Sequence, residues 1–259
     1  MIYTLSDITR KIANAKTLDF GSVFSNSIDT FKKVWLQGLV TYLLSMVLVL
    51  PFLFIVYIPM IFLGILSPDS FGENIDFNGL SITAAILTVL LFIVFFLTVS
   101  AISLGLKAGF YKIVRDKDLG LNTADDYFFF LKKQYIKKTI GLSLTILGIV
   151  LLAYVLCVLP VFYVIVPVYY MVIIYALNPD MPNSEILKAG FQLGNKKWFL
   201  SFGLLFVAGI LAGVVGILLC FIGIYVTQQF IDLPCYHVYK EVIGVGESNP
   251  IDEVGAPSE

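Results

Sequence analysis

The sequence predicts an all-α integral membrane protein: six transmembrane helices arranged as three hairpins, each preceded by a cytoplasmic amphipathic helix. Three observations carry this. Charged residues make up 14% of the 259-residue chain and hydrophobic ones 59%, against about 25% charged in a soluble domain. The apolar runs are long enough to cross a bilayer, which takes roughly 20 residues as helix. All 17 Lys and Arg fall on one side of the resulting topology, leaving only Asp69, Glu73 and Asp76 on the other. Basic residues in short loops are retained in the cytoplasm, so both termini and all three amphipathic helices are expected there. The near-neutral total of −1 conceals this asymmetry. A soluble fold would bury the same runs in one core with almost no polar face left to cover it.

Residues 1–33 read as an amphipathic N-terminal segment. Ser6 and Asp7 suit the start of a short helix with Leu5, Ile8 and Ile12 on one face and Arg10, Lys11 and Lys16 on the other. A second amphipathic stretch begins near Asp19, with Phe20, Val23, Phe24, Ile28 and Phe31 at helical spacing. Lys32, Lys33 and Trp35 then anchor the first span at the headgroups, where an amphipathic indole sits well. The membrane domain is 34–242. Its first span, 34–66, is too long to stand upright and contains Pro51 and Pro59, which favour kinks; a re-entrant piece after Pro51 is an alternative. A polar loop follows, and its three carboxylates match no calcium-loop spacing.

The second span, 80–106, leaves the membrane through Lys107, Lys112, Arg115 and Lys117. Thr123 is placed to cap a helix with Asp125 and Asp126 in its first turn; Tyr127 to Leu131 would lie in the interface plane. Lys137 and Lys138 anchor the third span, 139–158. The fourth, 161–177, follows a turn at Leu159 and Pro160 and contains Pro167. Ser184 and Glu185 open a third amphipathic helix that leads to the anchors Lys196, Lys197 and Trp198. Spans five and six are 198–218 and 224–240, and 243–259 is an acidic tail too polar to fold alone. The lysine pairs head three units of similar plan.

The sixth span holds the only acidic residue at depth. Gln228, Asp232 and Tyr236 are spaced four apart and share a helical face, with Gln229 beside them. Asp232 would lie roughly 12 Å below the boundary, at a cost of about 2.5–3.5 kcal/mol on the insertion scale. Two readings stay open: a structural carboxyl, protonated or bonded to Gln228 or Gln229, or a substrate or proton site. Pro234 frees the carbonyl of Phe230, and His237 reads as a headgroup-level residue. Gly209 and Gly213, with Gly216, permit close helix packing. Tyr163, Tyr169, Tyr170 and Tyr175 line a polar cavity, or belong in part to an interface belt or to interhelical hydrogen bonds.

Cys157, Cys220 and Cys235 lie in apolar stretches without metal or disulfide spacing. One histidine excludes a zinc H-E-x-x-H site, and no phosphate-loop, dinucleotide or G-x-S-x-G motif is present. No catalytic residue, cofactor, metal or nucleic-acid partner is expected.

The segment Ser184-Glu185-Ile186-Leu187 to Lys197-Trp198, then Leu219 to Thr227 and Tyr239, resembles a group of six-helix bacterial membrane proteins. The group includes uncharacterised inner-membrane proteins and the membrane domain attached to some glycerophosphoryl diester phosphodiesterases. Gly105 to Lys117 and the turn at Pro160 are similar to it too. Members often have proline where this chain has Gln228, and Pro-Gly where it has Pro160-Val161. The resemblance implies the fold and a bacterial inner membrane, with no established chemistry. A carotene-cleaving monooxygenase activity, ascribed to some relatives, would need several iron-binding histidines, and His237 is alone.

The expected role is that of a membrane-organising or lipid-interacting accessory protein, with membrane lipids, an anionic cytoplasmic leaflet and a membrane-protein partner as its contacts. A small transporter using the sixth-span face is the alternative, and an intramembrane enzyme a distant third.

Overall fold

The computed structural model describes residues 3–62, 82–121, 123–156, 158–219 and 222–246. The described residues are helical, and five of their helices are long and apolar enough to cross a membrane. This is a multi-pass membrane protein.

Helix α1, Leu5–Ala13, starts two residues earlier than a cap at Ser6 would place it. Thr4 is its cap, and Thr4 and Asp7 form a capping box: each side chain accepts the other's backbone N–H. The Thr4 hydroxyl also donates to Asp7, and these bonds hold the exposed Asp7 carboxyl below its ordinary value. Helix α2 runs unbroken over Phe20–Phe62, so the amphipathic stretch and the first span are one helix. Nothing between Phe31 and Trp35 stops it, since lysine is a good helix former. Pro51 and Pro59 lie inside it. The end of the expected first span, 63–66, and the loop with Asp69, Glu73 and Asp76 fall outside the described residues. Helix α3, Ile82–Asp118, outruns the expected end at 106 by about three turns.

The helix expected from Thr123 does not form. The chain makes only a 3₁₀ turn, Phe129–Leu131, and the Thr123 hydroxyl donates to Asp116 at 2.9 Å instead of capping. Packing against α3 wins over the local capping signal. A Cβ on Gly109 would stand 2.6 Å from the Tyr127 carbonyl oxygen, and one on Gly105 would collide with Leu131. The third expected span therefore has only this 3₁₀ turn directly before it among the described residues.

Helices α4, Ile136–Leu156, and α5, Val158–Leu177, pack against each other, with Pro160 in the first turn of α5 rather than between helices. A missing N–H is harmless there. Helix α6, Asn183–Lys196, packs along α5 through Gly190 and Gly194. A Cβ on Gly194 would meet the Pro167 ring and backbone at 2.8–3.0 Å. Gly194→Ala is expected to cost about 1–3 kcal/mol through overpacking, read as a lowered melting temperature in detergent. Gly213→Ala, where the added methyl meets open space, should leave that temperature unchanged or raise it.

Helix α7, Trp198–Leu218, matches the expected fifth span. The sixth is not one helix. It divides into α8, Ile222–Thr227, a 3₁₀ segment, Gln228–Asp232, and α9, Leu233–Val242. Pro234 explains the break, because it lacks an N–H and its ring clashes with the preceding turn.

The packed core lies at the lysine-bearing end, where Ile8, Tyr111, Tyr170, Tyr175, Tyr236 and Tyr239 are fully buried. Away from that end the apolar surface faces outward: Phe54 and Leu152 are each 61% exposed.

Candidate functional site

Helix α9 and the end of the 3₁₀ segment before it bring the titratable groups of the sixth stretch into contact with three other helices. Asp232 is buried, and its Oδ1 accepts from Lys107 Nζ of α3 at 2.8 Å. The same ammonium lies 4.3 Å from the centroid of the Tyr169 ring of α5, a cation–π contact. Tyr111 donates to the Asp232 backbone carbonyl at 3.3 Å. Asp232 thus has a full counter-charge within hydrogen-bond distance, which offsets the cost of its burial.

One turn on, Tyr236 donates to Asp118 Oδ2 at 3.0 Å, and Lys240 reaches the same oxygen at 2.8 Å. His237 Nε2 shares a 2.9 Å hydrogen bond with Thr30 of α2. It is buried and turned toward α2 rather than outward. Tyr239 accepts from Asn178 Nδ2 at 2.9 Å, while Asn178 Oδ1 accepts from the Tyr3 backbone N–H. Two further clusters tie the end of α3 to the loop after it. Arg115 and Thr123 hold Asp116, while Lys117 and Gln37 hold Asp125.

Gln228, Gln229, Asp232 and Tyr236 do not converge. The 3₁₀ segment turns about 120° per residue, so spacing by four no longer aligns side chains. Gln228 is exposed, Gln229 packs beside Gly38, and Asp232 and Tyr236 engage Lys107 and Asp118. The tyrosines also divide. Tyr170 bonds Ser201 and Tyr175 bonds Thr139 inside the core, whereas Tyr163 bonds Asn195 at the surface.

The anchors differ among themselves. Lys33, Trp35, Lys137 and Lys196 are exposed, and Lys32 pairs with Asp29 at the surface. Lys138 donates to the Pro179 carbonyl. Lys197 is buried, donates to the Lys16 carbonyl, and burial lowers its pKa. Trp198 donates to the Tyr163 carbonyl at 3.1 Å and stacks on Phe202. Added Cβ atoms on Gly209 and Gly213 meet open space, so that pair packs against no helix of the described chain; Gly216 does, its Cβ falling 2.6 Å from Ile224.

Sequence reasoning missed Lys107, Asp118, Thr30 and Asn178 as partners. Lys107 carried a signal, being the first charge after an apolar run, but its role as counter-ion needs the pairing of helices. Among the described residues no group of three His, Cys, Asp or Glu is placed to hold a metal. No family model, curated protein or solved structure matches the chain.

Proposed function

We propose that this is a non-enzymatic, lipid-interacting accessory protein of a bacterial inner membrane, both termini cytoplasmic, with a basic collar that collects anionic lipid. The observation that carries it is the division of charge at one end of the molecule. The polar groups of the packed end that face one another are paired, Lys107 with Asp232, Asp118 with Lys240 and Tyr236, and His237 with Thr30. Lys33, Lys133, Lys137, Lys188 and Lys196 at the same end are exposed and available to headgroups. A transporter face would need Gln228, Asp232 and Tyr236 to converge, and their separate partners favour the accessory reading over it.

Each basic residue near an anionic leaflet contributes about 1 kcal/mol. In vesicles of mixed zwitterionic and anionic lipid, replacing Lys33, Lys133, Lys137 and Lys196 together by glutamine should abolish most of the anionic enrichment around the protein. Energy transfer from tryptophan to headgroup-labelled lipid reads this. An unchanged enrichment would sink the collar reading.

A further inference from the structure

The helix registers set heights along the bundle. Lys107, Asp232 and Tyr169 meet at one level. Above it, away from the lysine-bearing end, 82–107 of α3 rises about 38 Å at 1.5 Å per residue. On α2, Gly38 lies against Phe110 and Gln229, and 38–62 rises about 36 Å. The other two hairpins are shorter. From the shared level, 158–169 of α5 rises about 17 Å, and 222–232, partly 3₁₀, about 18 Å. The α4–α5 turn thus stops about 20 Å below the ends of α2 and α3, and the α7–α8 turn about 12–20 Å below them, the smaller gap being measured along α7 from Ser201, which bonds Tyr170. A tilt of about 40° in the longer pair, the upper end of what membrane helices show, still leaves about 10 Å above the α4–α5 turn.

The overhang is apolar. Phe54, Ile55, Ile86, Val89 and Leu90 are each more than half exposed there, and such a surface belongs in hydrocarbon. Whatever hydrocarbon covers the overhang covers the turns below it. The turns agree in chemistry: Val155 is 82% exposed, Leu159 79% and Leu218 76%. Two described amides that flank the second turn are bonded within the chain, Leu219 N–H to the Val215 carbonyl at 3.1 Å and Gly223 N–H to that of Leu219 at 3.3 Å. Internal satisfaction of that kind is what a chain reversal inside lipid requires.

We propose that the α4–α5 and α7–α8 hairpins are re-entrant, with turns covered by acyl chains of the opposite leaflet, and that only α2 and α3 reach the far surface. The protein then displaces more lipid from the lysine-side leaflet than from the other, which gives the membrane-organising role a wedge shape. The inference rests on the membrane placement used above and not on the collar's lipid preference, so the two fail separately.

The test uses the full chain in vesicles, with Cys157→Ser and Cys220→Ser and one new thiol at a time: Leu159→Cys, Leu219→Cys, or Asp69→Cys between α2 and α3. A charged, membrane-impermeant maleimide is supplied on both sides, and labelling after denaturation normalises each rate. Both turn positions should react at least ~10-fold more slowly than Asp69→Cys, because hydrocarbon excludes the reagent and the charged thiolate. A fluorophore on Leu159→Cys should be quenched by lipid brominated along its acyl chains and not by aqueous iodide. Turn labelling at the Asp69→Cys rate, iodide quenching, or equal protection of all three positions would each overturn the proposal.

Discussion

Replacing Lys107 by leucine should destabilise the protein by about 3 kcal/mol, the low end for breaking a buried pair, because Asp232 loses its counter-charge while staying buried. The low end applies because the Lys107 side chain is 34% exposed, against 8% for Asp232. Asp232→Leu should cost less, since the lysine left behind can extend toward the headgroups. The double variant Lys107→Leu, Asp232→Leu should recover most of the loss, as hydrophobic replacement of a whole buried pair often does. Denaturant unfolding in detergent micelles provides all three values. Additive losses would mean that the two charges are not coupled. Recovery in the double variant would favour the structural reading of Asp232 over a proton or substrate site.

What was legible in the sequence follows from what local physics can encode. The step in polarity at Lys197-Trp198 marks the start of α7, and the expected span 198–218 coincides with the helix. Pro234 announces the break before α9, yet the 3₁₀ winding of Gln228–Asp232 depends on how the chain rejoins the core. The loop at 123–131 shows a tertiary override. Thr123, Asp125 and Asp126 have cap-like chemistry, but Gly105 and Gly109 open a groove on α3 that draws the segment into a non-helical path. Small residues four apart were read correctly as a means of close approach and assigned to the wrong helix. Gly209 and Gly213 have the spacing with nothing to meet, whereas Gly190 and Gly194 have the same spacing and meet Pro167. Spacing describes one surface, and packing needs two. The Lys107 and Asp232 pair was out of reach for the same reason, because periodicity within each helix does not say which helices adjoin.

Asp118→Ala should cost about 2–3 kcal/mol, the range for losing a charge-assisted bond together with a neutral one at a mostly buried acceptor. Asp118 is the last residue of α3, and the oxygen that holds Tyr236 and Lys240 is its link to α9. Asp118→Asn keeps an acceptor for the Tyr236 hydroxyl and loses only the charge, so about half of that cost is expected. The effect should be local. Helix α9 carries the Asn178 contact through Tyr239, and Asn178 in turn holds the Tyr3 backbone. Lys11 of α1 donates to the Ile243 carbonyl at 2.7 Å, just past the end of α9. Loosening α9 therefore releases α1 as well, although the two share few direct side-chain bonds. Amide exchange should rise in 5–13 and 233–242 together, while the backbone of α4 and α7 keeps its protection. Faster exchange in α9 alone would show that α1 is held by α6, through Thr9 and Gln192, and not by the polar chain running from Asp118.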